Sequence, residues 1–564
     1  MASIIKKTKK GRPYYYAVES KRVNGKPRIV WQKYLGTIDS IIKRADQAKP
    51  QAPKETVIFE AGGVAALLRI TQRLGLIDLI DEVVSKRQQG PSVGHYMVLA
   101  TLNRALAPCS KVAIGNWYEQ TILKRLWQFP RSDFSSQRFW DHMDMVSEET
   151  IETVQERLLP RIQKEFGIDP RILLYDTTNF FTFLATTNDR SQMAQRGRSK
   201  AKRHDLRQVG LALLVTRDFQ IPLLHQTYPG NIPDVSLFPK LSKNLIARYQ
   251  KLTGQTGETT LVFDKGNVSD DGMEKLAVLN IHFVAALSAN RFPELLDTPM
   301  ERFESLPDMP GTKAFTTTLN LWGKSCKVVV AYTESFFTQQ LSGITHNLVQ
   351  CQKKLMDLGK SLNRWREGKG RGKRPTTKGI QKKVREILSA QFMKKLFQIQ
   401  IQEDNELPRL QYEVDHTALQ ELSDKRLGKT IIITDHLQWI SGEIVEAYRN
   451  LSQVEESFKN MKNIHFLHWQ PAYHWTDQKI RVHGFYCVLA LLLSSLARQI
   501  AIQAGIPISL VMLLKELSAI REVAVIYPPG TLAHRKDHIT LSRMSPRQKK
   551  LADSFQIGNV LLGG

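Results

Sequence analysis

The sequence has little cysteine, no long uncharged apolar run and comparatively few acidic residues. Its four cysteines are too few and too scattered for a disulfide framework, and no CxxC pair indicates zinc. The longest uncharged apolar run, residues 484–497, has 14 residues, fewer than the roughly 20 that span a bilayer. The N-terminal residues lack the apolar core of a signal peptide. We therefore expect a cytoplasmic protein in a reducing compartment.

The shortage of acidic residues leaves a large positive charge. The 564 residues include 80 Lys and Arg but only 54 Asp and Glu, for a formal net charge of +26. A composition of 42% hydrophobic and 24% charged residues excludes a mostly disordered chain. The length predicts three or four structural units, at roughly 100–200 residues each. The charge favours a polyanionic partner, and nucleic acid is the first candidate.

Local patterns divide the chain into segments of different character. Residues 13–35 predict a β-hairpin with an Asn24-Gly25 turn. Residues 60–165 have apolar residues at helical steps, which fits either a DNA-binding unit or plain helical packing. Apolar runs at 171–187, 209–216, 221–229, 259–264, 280–288 and 429–435 predict strands, with helices at 234–251, 272–279, 441–462 and 480–503. This mixture predicts an α/β layer.

The segment from Cys351 to Lys395 is strongly basic. It holds 15 Lys and Arg against three acids, a net of +12, and it follows a predicted β part at 313–333. A second basic run contains Arg198, Lys202 and Arg203. A solvated charged face is the ordinary explanation of a short charge run. Binding to a nucleic-acid backbone explains a long one better, and it predicts an affinity that falls steeply with salt.

Three acidic residues occupy positions suited to chemistry. Asp176 lies inside one apolar run, Asp264 ends another, and Glu455 lies at the edge of the apolar face of the 441–462 helix. Burying a carboxylate is costly unless it is paired or binds a metal, and hard cations such as Mg²⁺ prefer oxygen ligands. A strand-end Asp is more often a cap or turn residue, and an amphipathic helix commonly carries solvated charges. Tyr448 and Lys462 fall on the same helical stripe as Glu455, seven residues to either side.

The set LLYDTTNFF, FDKG and YRNLSQVEESFKNMK resembles the DDE transposases of bacterial insertion sequences, in the class with a Y-x2-R-x3-E-x6-K signature. Here the signature reads Tyr448, Leu451, Glu455 and Lys462, with Leu451 in the arginine position. YPGNIPD at 228–234 and KIRVHGFYCVLALLL are also similar to stretches of these enzymes, so the resemblance covers roughly residues 130–500.

The resemblance implies a ribonuclease H-like catalytic core interrupted by an insertion domain, and we expect the helical region before it to bind DNA. Together with the local patterns, this predicts the segments 1–50 (hairpin region), 51–168 (helical, DNA-binding), 169–295 (first part of the core), 296–427 (basic insertion domain), 428–505 (second part of the core) and 506–564 (C-terminal region).

The resemblance also implies a site and its partners. Asp176, Asp264 and Glu455 would be catalytic and would hold two Mg²⁺ ions, for which Mn²⁺ can substitute. The implied partners are double-stranded DNA, as terminal inverted repeats and as target, and a second copy in a synaptic homodimer. The expected DNA-binding residues are Tyr448, Lys462, Lys265, Arg198, Lys202, Arg203, Arg371, Lys373 and Arg374. Two alternatives stay open, namely a ribonuclease H-like structure-specific endonuclease and a non-catalytic DNA-binding protein derived from a transposase.

Overall fold

The structure is a computed structural model. It describes residues 2–23, 25–47, 52–84, 89–185, 187–197, 203, 205–233, 238, 248–249, 259–278, 281–404, 407–470, 472–527 and 538–562. The chain divides into two compact units. The first comprises residues 1–69, 115–132 and 500–564, and the second comprises residues 70–114 and 133–499.

The chain contains both strands and helices, as the sequence predicts, and the described part of residues 62–166 forms helices and no strand, as the periodicity at 60–165 predicts. The strands are β1 (Ala2–Lys9), β2 (Arg12–Val23), β3 (Lys26–Gly36), β4 (Glu55–Glu60), β5 (Ile172–Thr182), β6 (Arg207–Thr216), β7 (Pro222–Pro229), β8 (Thr260–Phe263), β9 (His282–Leu287), β10 (Glu304–Ser305), β11 (Thr312–Leu321), β12 (Lys324–Thr333), β13 (Phe397–Asp404), β14 (Leu407–Val414), β15 (Lys429–Thr434), β16 (Arg521–Ile526) and β17 (His538–Leu541). The helices are α1 (Ile38–Gln47), α2 (Gly62–Leu74), α3 (Leu76–Val83), α4 (Val93–Leu106), α5 (Ile114–Glu119), α6 (Leu123–Trp127), α7 (Ser136–Asp144), α8 (Glu148–Phe166), α9 (Asp270–Val278), α10 (Pro293–Leu296), α11 (Glu334–Arg366), α12 (Thr377–Ile387), α13 (Met393–Leu396), α14 (His416–Arg426), α15 (Ser441–Arg449), α16 (Leu451–Met461), α17 (Asp477–Gln503), α18 (Leu510–Ser518), α19 (Pro546–Ser554) and α20 (Ile557–Leu562).

The first unit contains two small antiparallel sheets. The predicted hairpin is confirmed as β2 and β3, and β1 adds a third strand in the order β1-β2-β3. The second sheet has the order β17-β16-β4. Strand β4 lies just before the stretch with helical periodicity, where the sequence patterns predict no strand, and its pairing partner β16 lies far along the chain.

The second unit is built on a sheet with the order β10-β11-β12-β15-β9-β8-β5-β6-β7. Strands β5, β8 and β9 run parallel to one another, and the other neighbouring strands are antiparallel. Strands β6 and β8 are almost wholly buried, as near-continuous apolar runs indicate. Gly210 in β6 is required there, because a Cβ at this position would overlap the Tyr228 ring of β7.

Helices and a hairpin flank this sheet. The chain from Glu334 to Arg426, which contains the basic segment, forms α11 to α14 and the β13–β14 hairpin around an apolar cluster that includes Leu355, Ile380 and Met393. The β part before it, β11 and β12, belongs to the large sheet, because β12 pairs with β15. The Gly-, Lys- and Arg-rich stretch at 368–379, whose glycines and proline predict a loop, lies between α11 and α12 as far as Thr376, but its last three residues form the start of α12. Most of the predicted helix at 234–251 lies outside the described residues, and the predicted segment boundaries stay a prediction.

One helix among the described residues, α17, meets the length and hydropathy expected of a membrane-spanning helix. Of its most apolar stretch, 83% is buried inside the protein. A core helix of a folded domain has the same length and composition, so these two properties are weak evidence of a membrane span.

Candidate active site

The carboxylates of Asp176 and Asp264 lie at neighbouring strands of the large sheet. Strands β5 and β8 are parallel, with Leu174 level with Val262. Asp176 lies two residues beyond Leu174 on β5, and Asp264 lies two residues beyond Val262, directly after the end of β8. Neighbouring strands lie about 4.8 Å apart. Both residues are half-buried, so both carboxylates remain accessible from the cleft.

Glu455 is carried by α16, which packs against β5. The apolar face predicted for this helix is confirmed, since Leu451, Val454 and Phe458 are buried. Glu455 is exposed beside that face. The predicted single helix is two helices that meet at Asn450, whose backbone stays helical (φ −61°, ψ −19°).

These side chains open onto one cleft of about 1900 Å³ in the second unit. Its lining includes Asp176, Asp264 and Glu455, which are the only acidic residues that the described chain contributes to it. Eight cationic side chains also line it: Lys265, Lys394, Lys395, Arg426, Lys429, Arg449, Lys459 and Lys462. The eight cations outnumber the three carboxylates, so the cleft attracts a polyanion.

Tyr448 connects two of the elements that form the cleft. Its hydroxyl donates a hydrogen bond to Oδ1 of Asp264 at 2.9 Å. Burial raises the pKa of Tyr448 well above its usual value, and the negative charges of Asp264, Glu455 and Asp176 raise the pKa further. Tyr448 therefore stays protonated at neutral pH and acts as a donor toward Asp264.

Lys462 crosses from the end of α16 to β5. Its Nζ donates to Oγ1 of Thr178 at 2.9 Å and lies 5.3 Å from the centre of the Phe180 ring. Asp176, Thr178 and Phe180 are two residues apart along the strand, so their side chains share one face of the sheet. Lys462 is exposed, which leaves its ammonium accessible to an anion in the cleft.

A buried arginine holds residues 468–470, which line the cleft near Phe180. Arg104 donates to the carbonyl oxygens of His468 at 3.1 Å and Gln470 at 2.7 Å. Between them, the Trp469 ring stacks on Phe180 with centres 4.3 Å apart. Residues 468–470 line the cleft, so this network fixes the cleft wall beside Lys462.

The other predicted DNA-binding residues divide into three groups. Lys265 is exposed and lines the cleft directly after Asp264. A second group lies outside the cleft lining. It consists of Arg371, Lys373 and Arg374, which are exposed in the loop after α11, and of Arg203. Arg203 forms an ion pair with Asp205 through two hydrogen bonds of 2.8 and 2.7 Å. Arg198 and Lys202 lie outside the described residues.

Several cleft residues were missed by the sequence reasoning. Arg449 donates to Oγ1 of Thr312 and of Thr333, both at 2.8 Å, and so ties α15 to β11 and β12. Lys459 lies four residues after Glu455, a helical step that places both on one face. Lys394 and Lys395 belong to the basic segment, but no local signal indicates that they reach this cleft.

The oxygen donors that the described residues place in the cleft match divalent cations in kind but are not arranged around a common point. Carboxylate oxygens suit hard cations such as Mg²⁺ in kind. However, no group of three His, Cys, Asp or Glu side chains lies close enough to hold a metal ion, in the part of the chain that the structure describes. One oxygen of Asp264 is also engaged by Tyr448. The three carboxylates thus share a cleft without forming a preassembled metal site.

Comparison with known proteins gives structural likeness only. No family model matches the chain, and neither does any curated protein. The chain is similar to the cryo-EM structure of a piggyBac transposase synaptic complex with hairpin DNA, with 8% identity and a TM-score of 0.35, over 80% of this chain and 79% of that one. It is also similar to a pre-cleavage Mos1 transpososome and to a Mos1 transposase paired-end complex with the left transposon end, with 12% and 13% identity. Both Mos1 matches have a TM-score of 0.15 and cover 35% of this chain and 60% of the Mos1 chain. Similarities this low carry no argument about activity.

Proposed function

We propose that this protein is a DNA transposase that cuts the ends of an insertion sequence and joins the freed 3′-hydroxyl ends to target DNA. The observation that carries the proposal is the composition of the cleft. The only acidic residues among its described lining are the three that the transposase signature singles out, and eight cations surround them. If these three solvent-accessible carboxylates had only structural roles, there would be no reason for all three to line the same basic cleft.

The proposed roles follow from the side chains that face the cleft. Asp176, Asp264 and Glu455 would hold two Mg²⁺ ions, with Mn²⁺ as a substitute. Such ions would supply an activated nucleophile and would stabilise the charge that develops at phosphorus. Lys462, held between Thr178 and the Phe180 ring, would bind a phosphate beside the cut. Tyr448 would orient Asp264 through its hydrogen bond.

One cleft can serve both reactions in this proposal. Water would be the nucleophile that releases the transposon end, and the freed 3′-hydroxyl would be the nucleophile that attacks target DNA. Both are displacements at phosphorus by an oxygen, so the same phosphate-binding cations would serve each step.

The topology of the second unit supports a ribonuclease H-like core within this proposal. An antiparallel run of three strands, β5 to β7, is followed by β8 and β9 parallel to β5. The chain between β9 and β15 contains the basic segment, and its residues 296–427 would be the insertion domain. Its exposed residues Arg371, Lys373 and Arg374 would bind DNA outside the cleft.

Cleavage of a terminal-repeat duplex in Mg²⁺ tests the proposal. We expect Asp176→Asn, Asp264→Asn and Glu455→Gln each to abolish cutting while DNA binding persists. Glu456→Gln is the matched control, because Glu456 is also exposed on α16 but pairs with Lys459 at 3.7 Å and does not line the cleft. Normal cutting by the three variants, or equal loss in Glu456→Gln, would contradict the site.

Two alternatives predict different products. A ribonuclease H-like structure-specific endonuclease would cut DNA without joining a 3′-end to a target, which a strand-transfer assay detects. A non-catalytic DNA-binding protein would neither nick nor join in Mg²⁺ or Mn²⁺. We favour the transposase because the signature residues Tyr448, Glu455 and Lys462 all face the cleft that contains Asp176 and Asp264.

The proposed partners are double-stranded DNA and a second copy of the chain in the cytoplasm, at the nucleoid. A synaptic homodimer would bring two transposon ends together. Light scattering of the complex with a terminal-repeat duplex tests this, since synapsis predicts two chains and two duplexes per particle.

A further inference from the structure

The three-stranded sheet β1-β2-β3 is strongly basic and does not contribute to the cleft. Residues 1–36 contain ten Lys and Arg but a single acid, Glu19, for a net charge of +9. None of these residues lines the cleft or belongs to the transposase signature. The proposed cleavage reaction therefore gives this sheet no role.

Strand register assigns the side chains to two faces. Glu19 is opposite Trp31, Ala17 is opposite Lys33, and Lys21 is opposite Arg28. Opposed residues share a face, and alternate residues along a strand return to it. A bulge between Glu19 and Ser20 keeps the Lys21–Arg28 pair on the face of Trp31. This surface, called here the tryptophan face, carries Trp31 and the cations Lys6, Lys21, Lys26, Arg28 and Lys33, together with one acid, Glu19, which pairs with Lys21 at 3.8 Å.

The tryptophan face is open to solvent. Trp31 is 50% exposed, and all five of its cationic residues are exposed. Along β3, Trp31 lies between Arg28 and Lys33. The face therefore presents an accessible indole ring flanked by cations on both sides.

The aromatic residues of the opposite face are engaged with one another. Tyr16 and Tyr34 have ring centres 5.1 Å apart, and Tyr14 lies 6.1 Å from Tyr34. Lys7 lies over the Tyr16 ring at 4.8 Å, and Val18 is buried. Aromatic packing thus stabilises the sheet from that side, whereas Trp31 is on the other side.

We propose that the tryptophan face binds single-stranded nucleic acid. Cations along the strands would contact successive phosphates, and an unpaired base would stack on Trp31. A base inside a duplex is already stacked on both sides, so an exposed indole favours unpaired bases. The face suits a polyanion better than a second copy of itself, because two such faces would repel each other. This binding requires no cleavage and is independent of the proposed reaction.

The test measures binding of the full chain to labelled oligonucleotides in EDTA, by fluorescence anisotropy. The ligands are a single strand of about 12 nucleotides, within the range of single-strand site sizes, and a duplex of the same length. Loss of one base-stacking contact corresponds to about a tenfold weakening. We expect Trp31→Ala to weaken single-strand binding about tenfold and Trp31→Phe to retain most of it, with duplex binding changed less than about twofold.

Matched controls separate the face from general charge and from general aromatic exposure. Arg28→Gln with Lys33→Gln should weaken single-strand binding more than Lys9→Gln with Arg12→Gln, which removes equal charge from the opposite face. Trp475→Ala removes an indole that is 51% exposed and should leave single-strand binding unchanged.

Three results would overturn the proposal. The first is an equal loss of single-strand and duplex binding in Trp31→Ala, or no loss at all. The second is an equal effect of the two double charge variants. The third is a change from dimer to monomer in Trp31→Ala by light scattering, which would make the face a contact between copies. Circular dichroism confirms folding, and the charge variants test the face even if Trp31→Ala does not fold.

Discussion

Removing cations from the cleft should change the salt dependence of DNA binding in a calculable way. Lys265, Lys394, Lys395 and Lys462 are exposed and line the cleft. Each lysine that neutralises a phosphate adds about 0.9 to the slope of log affinity against log salt. If all four do so, their replacement by Gln should flatten the slope by about 3.6. When salt is raised from 50 to 200 mM, the affinity for duplex DNA falls in both proteins, and the factor by which it falls should be about 150-fold smaller for this variant than for the unaltered protein.

The control variant removes the same charge elsewhere. Lys164, Lys515, Lys549 and Lys550 are exposed and do not line the cleft, and replacing them by Gln also lowers the net charge by four, from +26 to +22. Anisotropy titrations of both variants at several salt concentrations give the two slopes. Equal flattening in both would show that binding depends on net charge alone. An unchanged slope in the cleft variant would refute the assignment of DNA to the cleft.

Three further predictions test individual contacts. The Tyr448–Asp264 hydrogen bond should give a coupling energy of about 1 kcal/mol in a double-mutant cycle of Tyr448→Phe and Asp264→Ala, each of which removes one partner, measured by chemical denaturation; additive effects would contradict the contact. Gly210→Ala should lower stability by about 1–3 kcal/mol, because the added methyl overlaps the Tyr228 ring, and an unchanged thermal midpoint would contradict that packing. Burial, followed by the charge of Arg248, lowers the pKa of His225 from 6.5 to about 3. The neutral His225 ring therefore stabilises the fold fully above pH 6.5, and this stability is lost as the pH falls toward 3. Between pH 6.5 and 5.5 the free energy of unfolding should fall by up to about 1.4 kcal/mol because of His225. Unfolding measured at several pH values should show a smaller fall for His225→Gln, and an equal fall in the two proteins would contradict the prediction.

Local sequence patterns predicted most of the elements around the cleft. The apolar runs that contain Asp176 and precede Asp264 are strands β5 and β8, and the apolar stripe beside Glu455 is the buried face of α16. These patterns are readable because a strand buried on both faces or a helix buried on one face must repeat apolar residues at a fixed period. The leucine at the arginine position of the signature has the same explanation, because Leu451 belongs to this buried face of α16.

Long-range pairing could not be read from the same patterns. A strand of suitable composition can pair with many partners, so nothing local indicates that β4 pairs with β16 or that β12 joins the large sheet through β15. The contact of Lys462 with Thr178 joins residues 284 positions apart, and Arg449 reaches β11 and β12 in a similar way. Such contacts depend on how the packed elements are oriented.

The sequence by itself determined the positive charge, the strand that contains Asp176, the strand that ends just before Asp264, and the helical stripe of Tyr448, Glu455 and Lys462. Only the tertiary structure decided that these acids share one cleft with Lys394, Lys395 and Arg449, and that Trp31 lies on the open face of its sheet. The physical reason is that charge and periodicity are properties of neighbouring residues, whereas a cleft is formed by elements that pack together from distant parts of the chain.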